Sequence, residues 1–111
     1  MAVDYVDAVV EQLDTSGATV YTAASNLKSA QITFAQCTNA STSTATYTIH
    51  IVQSGQTAVD GNIYTDANTV KVNESVTPLI VGAILKAGDF ITAFGSAVSS
   101  LNLKIGLKEI T

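Results

Sequence analysis

From Thr44 to Val52 apolar and hydroxyl-bearing residues alternate. Ala45, Tyr47, Ile49 and Ile51 share one parity, and Thr44, Thr46, Thr48 and His50 share the other. Successive side chains of a strand point to opposite faces, so the segment has one apolar face and one hydroxyl-rich face. Threonine is a strong strand former, which makes a strand the natural home for this pattern. Such a strand sits half buried in a two-layer β fold. Its outer face is open to water or to a neighbouring subunit.

The rest of the chain repeats the theme at a spacing of about 8 to 12 residues, the rhythm of a sandwich or barrel. Asp14-Thr15-Ser16-Gly17 reads as a turn and Ala18–Thr22 as a strand, with Ala23–Asn26 a loop. Ala30–Cys37 alternates, and Thr38–Thr42 connects it to the Thr-rich strand. Ser54–Asn62 is the longest loop, followed by short strands at Ile63–Thr65 and Thr69–Val72. Thr77–Leu85 reads as a nearly continuous apolar strand, with the single proline, Pro78, at its start, where a missing N–H is tolerated. Lys86-Ala87-Gly88-Asp89 is the clearest turn and leads into a strand at Phe90–Phe94. Leu101, Leu103, Ile105 and Leu107 share a parity in the closing strand. The expectation is all-β: an antiparallel sandwich of about eight short strands. Shared parity assigns Ile32, Phe34, Tyr47, Ile49, Ile51, Ile80, Ile84, Ile91, Leu101, Leu103 and Ile105 to its core.

Residues 1–14 stand apart from the sandwich domain at 15–111. Asp4, Asp7, Glu11 and Asp14 account for the whole net charge of −4, because the remaining five acids and five lysines cancel. Val3, Val6, Val10 and Leu13 fall within about 80° on a helical wheel, opposite those acids. Valines and repelling acids disfavour a helix, however. Three forms stay open: an amphipathic helix, an extended acidic arm that orders on a partner, or a first strand at Val9–Leu13.

Composition narrows the function classes. Hydrophobic residues make up 47% of the 111 and charged residues only 13%, with a mean hydropathy of +0.33. An ordinary soluble domain carries about 25% charged residues. The deficit is filled by fifteen threonines and ten serines, which predicts a surface partly covered by other copies. There is no arginine and no basic stripe, so nucleic acid is not an expected partner. The longest apolar run, Leu79–Leu85, is too short to span a membrane. The first residues lack the charged and apolar regions of a signal peptide, so synthesis in a reducing cytoplasm is expected. In that setting the sequons at Asn39 and Asn73 carry no glycan.

Chemistry-bearing residues are few. His50 is the only histidine and stands at an outward position of its strand. Cys37 is the only cysteine, without a basic neighbour to make a thiolate. Asp60, Asp66 and Asp89 are loop carboxylates, but they lack the alternating acids and closing Glu of a calcium loop. No catalytic set, cofactor site or metal site is assigned, and the reading is of a non-enzyme.

Four segments in order carry a family resemblance: Thr19-Val20-Tyr21-Thr22-Ala23-Ala24, Ala30–Asn39, Ala45–Val52 and Leu85-Lys86-Ala87-Gly88-Asp89-Phe90-Ile91. Together they resemble small β-sandwich virion proteins of tailed bacteriophages, over roughly residues 15 to 111. Where that family has a Val-Pro-x-Gly loop, this chain has Ala23-Ala24-Ser25-Asn26. The resemblance implies a multi-copy virion component without cofactor or catalysis. Its leading form is a capsid decoration (cement) protein whose partners are itself, as a homo-oligomer such as a trimer, and the major capsid protein. The alternatives are a phage neck or tail structural protein and, in a different class, a soluble ligand- or carbohydrate-binding β-sandwich. If residues 1–14 are an arm, Val3, Val6, Val10 and Leu13 are its expected capsid contacts.

Overall fold

The computed structural model describes residues 2–111, except for the side chains of Asp7 and Ala8; the part of the acidic face assigned to Asp7 therefore lies outside the described residues. Among the described residues there are nine strands: β1 (Val3–Gln12), β2 (Ala18–Thr22), β3 (Ser29–Asn39), β4 (Ala45–Val52), β5 (Ile63–Val70), β6 (Ser75–Val76), β7 (Ile84–Leu85), β8 (Phe90–Gly95) and β9 (Leu101–Ile110). A single 3-10 turn, Asp60–Asn62, precedes β5.

Two antiparallel sheets form the layers. One runs β1-β9-β3-β6, with β7 also paired to β3, and the other runs β2-β8-β4-β5. From β1 to β4 each strand lies in the sheet opposite its predecessor, and β9 returns between β1 and β3. This alternation is the strand order of a jelly roll, a β-sandwich built of Greek keys. The inward parities of both sheets meet in one core that includes Leu13, Ile32, Ile49, Ile80, Leu85, Ile91, Leu101, Leu103 and Ile105. Tyr21 closes one end of the sandwich, its hydroxyl donating to Glu109 Oε2 across the layers.

Gly106 decides the register of the five-stranded sheet. Ile32 faces Leu107 and Phe34 faces Gly106, so β3 spends one extra residue, Thr33, opposite β9. In β1 a similar shift falls between Val6, opposite Leu107, and Val9, opposite Ile105. Each bulge flips the parity of everything beyond it. After the β3 bulge Ala35 and Cys37 face inward, and Phe34 turns out over the glycine. A Cβ on Gly106 would stand 3.3 Å from that of Phe34.

Several expectations are corrected by these details. Phe34 is 46% exposed rather than core, because of the bulge, and Ile84 is 63% exposed. Thr77–Leu85 is a series of turns rather than a strand: Gly82 adopts φ +96°, and Ile80 N–H donates to Pro78 O. Only Ile84 and Leu85 pair, with Gln31 and Ala30, so Leu85 points in and Ile84 out. Residues 1–14 are not a separate arm, since Val3–Gln12 is an edge strand of the sandwich and Leu13 is fully buried. The two short strands expected around residue 67 are one strand, β5, interrupted where Ala67 takes φ 47°.

Candidate functional site

The residues singled out from sequence do not converge. Of the proposed contact set, Val3 and Val10 are exposed and Val6 is half buried against the core. Leu13 belongs to the core cluster and cannot reach a partner without unfolding. Among the described residues, no three of His, Cys, Asp and Glu gather closely enough to hold a metal ion.

Two of the three carboxylates, Asp89 and Asp66, are tied into the fold. Asp89 Oδ1 accepts from Ser54 N–H and Oδ2 from Lys86 N–H, both at 3.0 Å. It thereby locks the Lys86–Asp89 turn to the start of the long loop. Asp66 accepts from Thr48 Oγ1 at 3.0 Å, while that hydroxyl accepts from Ala67 N–H, so the pair holds the irregular turn of β5. Asn39 of the first sequon is buried, with its amide turned into the fold: Nδ2 donates to Ser43 O at 2.8 Å and to Val70 O at 2.9 Å. Its Oδ1 accepts from Ser41 N–H and Oγ.

Cys37 is fully buried in the inward row of β3. Burial pushes its thiol from an ordinary 9.0 up to about 12. Tyr21 is also raised, by burial and then by its hydrogen bond to Glu109, and Tyr47 by burial and then by Cys37. All three groups are neutral in the fold and ionise more easily once it opens. A folded-state value above the unfolded one gives stability that is complete below the unfolded value and lost as pH rises through the folded one. Urea midpoints are therefore expected to hold up to about pH 9 and fall progressively from there towards pH 12, the thiol titrating first. A thiol reagent at neutral pH should label Cys37 only at the rate of global opening.

The hydroxyl-rich face of the four-stranded sheet holds the most distinctive polar group. Thr19, Thr92 and His50 lie in one row across β2, β8 and β4. A groove of about 370 Å³ runs along it, walled by Phe94, the Ser16–Gly17 turn and Ala58 of the long loop. His50 has the outward parity expected, yet it is only 7% exposed. Its ring is tilted 35° from that of Phe94, with centroids 6.2 Å apart. Nδ1 of His50 is buried without a hydrogen-bond partner. Sequence parity could have grouped Thr92 and Phe94 on one face of β8, but the loop that brings Ala58 over them leaves no such signal.

Fold and surface together define a jelly-roll β-sandwich. No family model matches the chain, and no curated protein matches it. Among solved structures it is similar to one described as "Bacillus endospore appendages form a novel family of disulfide-linked pili", at a TM-score of 0.57 and 17% identity, over 99% of this chain and 87% of that one. At that identity the likeness speaks for the fold alone.

Proposed function

We propose that the chain is a non-catalytic structural subunit used in many copies, and that it is a capsid decoration protein bridging major capsid subunits on a tailed-bacteriophage head. The observation that carries the assembly part is the apolar outer side of the five-stranded sheet. Tyr5, Lys108, Gln31 and Ile84 form one row across it, with Tyr5 75% exposed. Phe34 stands beside that row, and Leu79 and Val81 are exposed in the turns leading to β7. Clustered large apolar side chains on a surface mark contact with other protein. The phage setting rests on the family resemblance of the four segments. A second reading, a subunit of an extracellular fibre, is favoured by the fold shared with the pilus protein. In either setting the copies meet through apolar surface, because the one cysteine of these 111 residues is sealed in the core.

The test uses Leu79→Ser with Ile84→Ser. Both side chains are mostly exposed, so the change in folding stability is expected to stay within about 0.5 kcal/mol. Light scattering should show the parent chain as an oligomer and the variant as a monomer. Binding to capsids lacking the protein should fall with it under the leading reading. Assembly into filaments without any capsid would favour the fibre. A parent chain that stays monomeric alone and does not bind particles would end both.

A further inference from the structure

The groove over His50 goes beyond a role in assembly, because it lies on the other sheet. Its lining is unusual in kind: the hydroxyls of Ser16, Thr19 and Thr92, the imidazole of His50, the ring of Phe94, and no acid, lysine or arginine. Apart from the imidazole, a charged ligand would find no counter-ion there. A purely apolar one would leave the hydroxyls and the imidazole without partners, which is the expensive outcome for polar groups removed from water. The lining matches a neutral molecule with several hydroxyls on one side and an apolar C–H face on the other. Hydroxyls can both give and take hydrogen bonds, and a neutral imidazole nitrogen does either according to its tautomer. Phe94 supplies the flat apolar wall.

The second observation is His50 itself. It is more than nine-tenths buried, and its Nδ1 is sealed from water without a partner within the protein, so a ligand reaches that atom only by displacing the side chains around it. Buried polar atoms are nearly always paired, and each exception calls for an explanation. A volume of about 370 Å³ lies at the small end for ligand pockets and suits one ring with its substituents. From these features we infer that the groove between Thr19, Thr92, His50 and Phe94 is a binding subsite for a single neutral sugar unit, the end or one residue of a glycan.

His50 is the only histidine of the chain, so its ring signals in an NMR spectrum are a one-site reporter that needs no assignment by mutation. The probes are the methyl glycosides of glucose, galactose, mannose and N-acetylglucosamine, added singly to the full chain. At least one is expected to shift the His50 ring signals saturably, with a dissociation constant on the order of 1 mM for so small a ligand. Thr92→Val keeps the side-chain shape and removes one hydroxyl, and should weaken that binding about 3- to 10-fold. Thr77→Val, beside the other sheet, should leave it unchanged. If Thr92→Val does not fold, the exposed Thr19→Val makes the same comparison. The inference is overturned if none of the four glycosides shifts the ring signals saturably at about 50 mM, or if the binding seen is as strong without the groove hydroxyl as with it.

Discussion

Gly88→Ala is expected to destabilise the protein by about 2 to 4 kcal/mol, read as a lower urea midpoint at unchanged slope. Two causes add. Gly88 sits at φ +86°, a conformation that disfavours any residue with a Cβ by about 1 kcal/mol. The new methyl would also stand 2.6 Å from Ser54 Oγ and 2.8 Å from its Cβ, and relieving such overpacking costs about 1 to 3 kcal/mol. Neither neighbour moves freely. Asp89 holds Ser54 N–H on one side and Lys86 N–H on the other, and Gly88 N–H donates to Ala23 O at 2.8 Å. The two causes separate in a double mutant. Ser54→Gly in the Gly88→Ala background should restore the overpacking part and leave the backbone part, a coupling that a cycle measures directly. Equal midpoints for the single and double variants would show that the clash is not the cause.

Asn39 is expected to be equally intolerant. Asn39→Ala takes their partner from the carbonyl of Val70 and the N–H of Ser41, and leaves the carbonyl of Ser43 only the Ser41 hydroxyl. Buried groups left unpaired cost about 1 to 3 kcal/mol each, and solvent can reach the Ser41 side, so a loss of about 2 to 4 kcal/mol is expected. Asn39→Asp should be worse at neutral pH, although it changes one atom. Its second carboxylate oxygen would face two carbonyl oxygens in place of the amide that donates to both. An uncompensated charge in that position raises the carboxyl's folded value above the ordinary one of about 4. The penalty is therefore absent below that pH and grows as pH rises above it. Denaturation of Asn39→Ala and Asn39→Asp at acid and neutral pH reads this out. If the Ala variant were the less stable at pH 7, the amide would not be bonded as described.

Much of the fold was legible because parity is a local property. Ala45–Val52, Ala18–Thr22 and the closing strand carry their inward and outward residues on their face, and the Lys86–Asp89 turn announces itself by Gly88 and Asp89. What failed depended on a partner strand. Nothing within Ala30–Cys37 shows that Thr33 is an extra residue. That follows from Gly106, more than seventy positions away, so parity alone assigns Phe34 to the core. Thr77–Leu85 misled for another reason: its residues are apolar enough for a strand, but Pro78 and the positive φ at Gly82 fold them into turns, burying Ile80, Ala83 and Leu85 and exposing Leu79, Val81 and Ile84. The acidic start of the chain was ambiguous because its valines suit a helix wheel and an edge strand equally. Pairing with β9 alone resolves it. The groove was invisible from sequence because its row is drawn from three strands and closed by a loop residue, Ala58, that has no chemistry of its own.

The position of β9 has a consequence for how the protein comes into being. The last strand of these 111 residues is the middle of its sheet, hydrogen-bonded to β1 on one side and β3 on the other. Until residues 101–110 emerge, β1 has no neighbour to pair with in its own sheet, and the core lacks Leu101, Leu103, Ile105 and Leu107. Folding of the sandwich is in this sense withheld until that strand is made, with few local contacts to begin it and long loops to close, conditions that slow β proteins. During that wait β1 and β3 present a slot of the right length for a closing strand. At high concentration of the chain, the strand that fills it can come from another copy, so the same architecture that completes the monomer also opens a route to exchange between copies.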